Sequence, residues 1–244
     1  KYFHYVLCLS EAKGMDIIMI ECTPRKNRES ARDYAARILI ENIVHTRLEP
    51  GQQLMEQELC QALKISRTPL REAMLELAGR QLVEIRPKIG SYVTRIDPAI
   101  VEQVRHLRSV LESELAAMAC SICNRRDLER LWENTAVWRM YIERRQEEKI
   151  FSLDKEFHRM IYELCGRMYW YRLVESAAPH FDRTTVLSLR CRPMEHILED
   201  HEALLRALEA GDENAARAVA AHHMERYREN IDTIRQAYPA YFKE

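Results

Sequence analysis

The sequence is short of the residues that turns consume: 6 Gly and 8 Pro in 244 positions. All-β folds and loop-rich scaffolds spend these residues at every chain reversal, so neither forms the bulk of this protein, and helix is the expected main element. Long apolar runs are also missing. No stretch approaches the ~20 apolar residues that a membrane span requires. The first fourteen residues lack the basic segment, apolar centre and small-residue cleavage site of a secretory signal, and Met15 is a candidate natural start. Residues 1–30 are therefore set aside as an N-terminal extension. A charge excess of one sign is absent too: 37 Lys and Arg oppose 38 Asp and Glu, for a net charge of −1. Residues 31–96 lean basic, with 10 Lys and Arg against 8 Asp and Glu, and residues 97–244 lean acidic, 22 against 26; the split is too small to assign a partner. The 7 cysteines are odd in number, and Cys120 and Cys123 form a CxxC without a second pair at zinc-ribbon spacing. They read as small apolar residues of a reducing, cytoplasmic chain.

What is present is helical periodicity with one interruption. Tyr34, Ile38 and Ile43, with Ala35, Leu39 and Val44, mark an apolar stripe that predicts a helix over 31–46, stopped by Pro50-Gly51. A short helix over 56–63 follows, then a tight connection at Lys64-Ile65-Ser66. A third helix begins near Thr68-Pro69, where a proline in the first turn costs no hydrogen bond, and runs to about residue 80. Residues 82–86 and 91–96 then alternate, with Pro87-Lys88-Ile89-Gly90 between them, which is the pattern of a β-hairpin. Three helices and a hairpin in this order predict a winged helix-turn-helix over 31–96. Asp97-Pro98 reads as boundary and helix start together. From there to residue 238 six helices are expected, over 98–123, 127–147, 149–165, 168–190, 194–210 and 212–236, with breaks at Asn124, Gly166, Pro193 and Gly211. The fold class is thus mainly α: a winged helix-turn-helix followed by an all-helical bundle over 97–238 and a tail over 239–244.

The third helix carries the chemistry of the first half. A helix-turn-helix sets this element in the major groove with its N-terminal residues against base edges. Arg67 and Arg71, one turn apart, share a face on which guanidinium forks can reach O6 and N7 of guanine. Ser66 and Thr68 offer hydroxyls to phosphate. Gln57 at the start of the second helix is placed for a backbone or base contact, and Lys88 and Gly90 suit a wing touching the minor groove or phosphates. The run Ser66-Arg67-Thr68-Pro69-Leu70-Arg71-Glu72-Ala73, preceded by Pro50-Gly51, Leu59 and Ala62-Leu63 and followed by Leu77, Leu82, Arg86-Pro87, Gly90, Tyr92 and Val93, resembles the GntR family of regulators. The resemblance implies operator binding as a homodimer. Ile89 departs from the pattern, since many relatives carry arginine there.

In the second half, Asp154 and His158 are four positions apart and so lie one above the other on a helix, flanked by Phe151, Phe157, Ile161 and Tyr162. His201 lies on the side of Leu204, Leu205 and Leu208. His223 shares a stripe with Ala216, Val219, Ala220 and Tyr227, whereas His222 lines up with Ala218, Glu225 and Arg226. Three imidazoles and a carboxylate on inward faces of one bundle suit a divalent ion such as Zn²⁺, Ni²⁺ or Mn²⁺. The residues Arg108-Ser109-Val110-Leu111-Glu112, Asp154 with Phe157-His158, Asp200-His201-Glu202, Gly211-Asp212, Ala215-Ala216-Arg217 and His223-Met224 resemble the FCD ligand-binding domain of the FadR-type subfamily. That resemblance carries metal ligation to Asp154, His158, His201 and His223. Arg108 matches an arginine of the first bundle helix and is a candidate partner for a ligand carboxylate, as is Arg183 on the fourth.

The expected function is a ligand-responsive DNA-binding transcription regulator, reading a near-palindromic operator and answering to a small organic acid. Two alternatives stand beside it. A metal with an open position could activate water in an enzyme, although no nucleophile or acid/base pair accompanies the four ligands. A DNA-binding protein with a purely structural bundle is the other.

Overall fold

The computed structural model of the chain describes residues 5–7, 19–191 and 195–244. They fall into two compact units, one of residues 1–97 and 240–244 and one of Pro98–Pro239.

The first unit is built on three helices. Helix α1 spans Ala31–Val44 and is capped by Ser30, whose hydroxyl accepts from the Asp33 N–H. Helix α2 spans Glu56–Leu63 and α3 spans Arg67–Gly79. Lys64, at φ 55°, ends α2 in the left-handed region and lets the chain turn directly into α3. Ile38, Leu39, Ile43, Leu59, Leu70, Met74 and Leu77 form the core between them. The expected hairpin is present as β4 (Val83–Arg86) and β5 (Gly90–Val93), antiparallel with Val83 opposite Val93. A third strand, β3 (Gln53–Leu54), pairs with the other edge of β5, so the sheet order is β3-β5-β4.

The segment set aside as an extension contributes to this unit. Strand β2 (Met19–Glu21) pairs with β1 (Tyr5–Leu7), and Ile20 enters the core at 2% exposure. The fully buried amide of Asn42 on α1 accepts from the Glu21 N–H (2.8 Å) and donates to the Glu21 carbonyl (2.9 Å), fastening β2 to the helix. At the other terminus, Phe242 is buried, the Ile96 N–H donates to the Tyr241 carbonyl (2.8 Å), and the Lys243 ammonium pairs with Asp97 (3.0 Å). The expected tail therefore groups with the winged unit.

The second unit is all helical among its described residues: α4 (Pro98–Ile122), α5 (Arg125–Glu143), α6 (Glu147–Leu164), α7 (Met168–Cys191), α8 (Glu195–Ala210) and α9 (Glu213–Ala237). Asn124 starts α5 with a capping box closed by Asp127. Gly166 and Gly211 take φ of 64° and 65° just beyond α6 and α8, a conformation that glycine adopts without a Cβ penalty. Pro193, the remaining expected break, lies outside the described residues. Leu115, Phe157, Ile161, Leu205, Leu208 and Ala216 belong to the core cluster of the bundle. The described cysteines are all free thiols.

Candidate metal centre and nucleic-acid interface

Asp154 and His158 on α6, His201 on α8 and His223 on α9 converge in the second unit, each offering one ligand atom, and these atoms lie within 4.8 Å of one another. Convergence follows from helix periodicity: the same faces that bury Phe157, Leu204 and Ala220 carry the four side chains. His201 is 1% exposed, stacked on Phe157 at 4.2 Å between ring centroids, and met edge-on by Trp138. His222 is exposed and His223 half-buried, as the two stripes of this helix require.

Two of the three outer nitrogens have a carboxylate partner that orients the ring. His158 Nδ1 lies 2.9 Å from a Glu112 oxygen, and His223 Nδ1 lies 3.3 Å from Asp200. Such bonds set the tautomer and leave Nε2 as the lone pair. Both carboxylates are held in turn: Arg108 Nε donates to Glu112 at 2.7 Å, and Arg226 donates to both Asp200 oxygens at 2.9 and 2.8 Å. The inner nitrogens are less well served. His158 Nε2 and His201 Nε2 lie 3.6 and 3.5 Å from the same Asp154 oxygen, beyond good hydrogen-bond distance. Both atoms, with His201 Nδ1, are buried without a hydrogen bond among the described residues. Orphaned imidazole nitrogens around one carboxylate oxygen fit a cation placed among them, because a buried polar atom otherwise costs about 1–3 kcal/mol.

With no ion among them, these groups set one another's charge, and an ion at His158 would have to displace its proton. Burial works against charge on Asp154, yet the neighbouring His158, His201 and His223 outweigh it and hold the carboxyl well below its usual range. Burial likewise opposes charge on His158, but Glu112 and Asp154 prevail and push it up to about 9. Burial, aided by His223, drives His201 well below its ordinary value, so this imidazole stays neutral.

A cavity of about 770 Å³, mouth included, opens beside the cluster and is lined by Arg108, Asp154, Phe181, His223, Arg226 and Tyr227 among others. Arg108 is 8% exposed and stands over the Phe181 ring at 5.2 Å. Its bonds to Glu112 use Nε and Nη2, which leaves Nη1. Arg183, the second expected ligand contact, does not line this cavity. It is fully buried, with Nη2 3.4 Å from His180 Nδ1, and burial lowers its guanidinium to about 10. Glu112 and Asp200, which pair with His158 and His223, were given no such contact by sequence reasoning. The available signal was the i,i+4 spacing of Arg108 and Glu112 on a largely apolar helix.

In the first unit, Ser66 is the N-cap of α3 without a side-chain capping bond, and Ser66, Arg67 and Thr68 are all exposed. Arg67 makes no hydrogen bond or ion pair among the described residues. Arg71 is 61% exposed and held by Glu56 at the start of α2, with Nε and Nη2 within 3.0 Å of the carboxylate. Gln57 is exposed on α2, and Lys88, at φ 62°, sits at the hairpin tip. Gly90 takes φ 148°, and a Cβ there would meet the Gln53 amide at 2.6 Å. No helix of the described residues is long and apolar enough to cross a membrane.

Comparison with known proteins agrees with both halves. Residues 32–93 match the model of bacterial regulatory proteins of the gntR family, and residues 103–226 match the FCD domain. The chain is 32% identical over 209 residues to the HTH-type transcriptional repressor RspR of Escherichia coli (strain K12), covering 85% of this chain and 92% of the relative. It is 31% identical over 226 residues to an HTH-type transcriptional regulator in an unstable DNA locus of Streptomyces ambofaciens, covering 92% and 93%. Among solved structures, McbR/YncC of E. coli superposes with a TM-score of 0.72 at 24% identity, covering 86% of this chain and 99% of that one, a likeness of fold.

Proposed function

This chain belongs to the gntR family of bacterial regulatory proteins and is a transcription regulator with a DNA-binding winged helix followed by an FCD domain, and we propose that a small organic acid, bound at a divalent metal ion in the FCD domain, controls its affinity for DNA. One observation carries this reading: four ligand atoms, three of them imidazole nitrogens, lie within 4.8 Å of one another beside an arginine-lined cavity. Three nitrogens and one carboxylate oxygen suit Zn²⁺, Ni²⁺ or Mn²⁺. Asp154, His158, His201 and His223 hold the ion, which supplies a Lewis-acidic site for an oxygen ligand. Glu112 and Asp200 fix the rings of His158 and His223. Arg108 presents Nη1 to the carboxylate of the acid and orients it. The bound acid shifts operator affinity by a coupling energy of about 1–3 kcal/mol, the usual range.

At the DNA, two chains of a homodimer present α3 to successive major grooves of a near-palindromic site, as expected of a cytoplasmic regulator of this kind. Ser66 and Thr68 bond phosphates, Arg67 and Arg71 read guanines, Gln57 steadies the second helix on the backbone, and the Lys88–Gly90 tip of the wing touches the minor groove.

The experiment is an affinity series on a duplex selected from random sequences by the parent protein. Arg67→Ala and Arg71→Ala should each weaken that duplex about 5- to 150-fold and relax the preference for guanine at one position. Lys88→Ala should weaken all duplexes alike and reduce the salt slope by about one. Full affinity in both arginine variants at physiological salt removes α3 as the reading helix.

A further inference from the structure

The histidine cluster has a second cavity on its other side. This space, of about 390 Å³ with its mouth, is lined by Glu112, His158, Tyr162 and His201, and by the apolar Ile161, Leu204 and Val219. His223 borders both this cavity and the arginine-lined one. The two spaces thus share the His223 side chain as a wall, but their characters differ: one has guanidinium groups in its wall, and the other is mostly apolar.

Tyr162 is the unexplained element. It follows His158 by one turn of α6 and is 1% exposed, and its hydroxyl is buried with no hydrogen-bond partner among the described residues. The carboxylate whose charge it senses, Glu112, is already committed to Arg108 through Oε1 and to His158 through Oε2. Burial pushes the phenol well above its usual range, so the group is an O–H donor. A phenylalanine would fill the same apolar wall without the cost of an unpaired hydroxyl. A buried donor in the wall of a cavity that borders a ligand cluster calls for an acceptor that enters with the ligand.

We propose that this cavity is the second chamber of the effector site, and that the Tyr162 hydroxyl donates to an oxygen carried on the apolar chain of the metal-bound acid. The inference rests on the acid-and-metal reading above and narrows it. The effector class becomes a short-chain oxo acid: its carboxylate on the Arg108 side, its methylene groups against Ile161, Leu204 and Val219, and its carbonyl oxygen at Tyr162. A bare carboxylate uses only the first chamber.

Calorimetry on the full chain loaded with Zn²⁺, with acetate, pentanoate and 4-oxopentanoate as probes, tests this. Pentanoate has the same chain without the oxygen, so the comparison isolates one hydrogen bond. The parent should bind 4-oxopentanoate about three- to tenfold more tightly than pentanoate. Tyr162→Phe should erase that preference and leave acetate and pentanoate unchanged. Ligand-free Tyr162→Phe should unfold at the parent's temperature or higher, because the hydroxyl it loses had no partner. Equal binding of the two five-carbon acids by the parent overturns the inference, as does a preference that survives in Tyr162→Phe. A lower melting temperature for ligand-free Tyr162→Phe also overturns it, since the hydroxyl would then serve the fold through a buried water. Binding of acetate and pentanoate without gain for the oxo acid sinks the second chamber alone. Binding of none of the three sinks the acid-and-metal reading and this inference with it.

Discussion

Replacing His201 with alanine should leave a folded protein that no longer retains stoichiometric metal after desalting. Of the four ligand residues it is the most deeply placed, 1% exposed between Phe157 and Trp138, so no water or mobile side chain readily takes over its position. Its neutral state also makes it the readiest donor, since it need not release a proton to bind the ion. Losing an outer partner of a metal ligand costs about 10–100-fold in affinity, and losing the ligand itself should exceed that. His223→Ala should lose the ion as well, while His222→Ala, altering an exposed ring one position away, should keep it. Elemental analysis of the desalted proteins, with circular dichroism to confirm folding, gives the answer. One metal per chain in both His201→Ala and His223→Ala would remove the cluster from the account. Loss in His222→Ala with retention in His223→Ala would reverse the register assigned to α9.

Glu112→Ala should be the most destabilising single change in the bundle. The carboxylate lies between the Arg108 guanidinium at 2.7 Å and His158 Nδ1 at 2.9 Å; Arg108 and Glu112 are buried and His158 is half-buried. The two cations hold its carboxyl well below the usual range even though burial works the other way. Its removal takes from the Arg108 guanidinium the carboxylate it bonds and leaves His158 only the more distant Asp154 oxygen at 3.6 Å, and breaking a buried pair in this way costs about 3–5 kcal/mol. For a unit of this size the melting temperature should fall by roughly 10–15 °C. The loss reaches the metal too, because His158 no longer has a partner fixing its ring. Glu114→Ala is the matched control. It sits two residues along the same helix, 52% exposed and paired with the exposed Arg217, and surface pairs of this kind contribute about 0–1 kcal/mol. Equal melting temperatures for Glu112→Ala and Glu114→Ala would show that the triad contributes nothing to the fold.

Much of this architecture was legible because its signals are local. The short helix expected over 56–63 is α2 with the bounds observed, and Asp97-Pro98 marks the start of α4. The wing hairpin was visible as two alternating runs. Strand β3 was not, because two residues have no period; Gln53 and Leu54 become a strand only by pairing with Tyr92 and Ser91. Ile20 and Phe242 were missed for a similar reason: each is held by tertiary partners, Ile20 in a core of distant residues and Phe242 through its parallel pairing with Ile96. In the site, the i,i+4 pair Asp154 and His158 follows from the helical face, and the choice of His223 over His222 from its face together with the family resemblance. The roles of Glu112 and Asp200 do not, since each acts on a ring that another helix supplies, 46 residues away for the first pair and 23 for the second. Arg183 was named only as a residue of the fourth bundle helix, and its place on that helix does not tell whether it lines a cavity; it is fully buried and does not line the one beside the cluster.

The most direct test of the central claim is the affinity of the metal-loaded protein for its selected duplex, measured by fluorescence anisotropy with and without small organic acids. The account predicts that at least one acid changes the dissociation constant by about 5- to 150-fold, the span of a 1–3 kcal/mol coupling, and that protein stripped of metal by a chelator shows no such response. Equal affinities across a broad panel of acids, or the same response in the stripped protein, would contradict it.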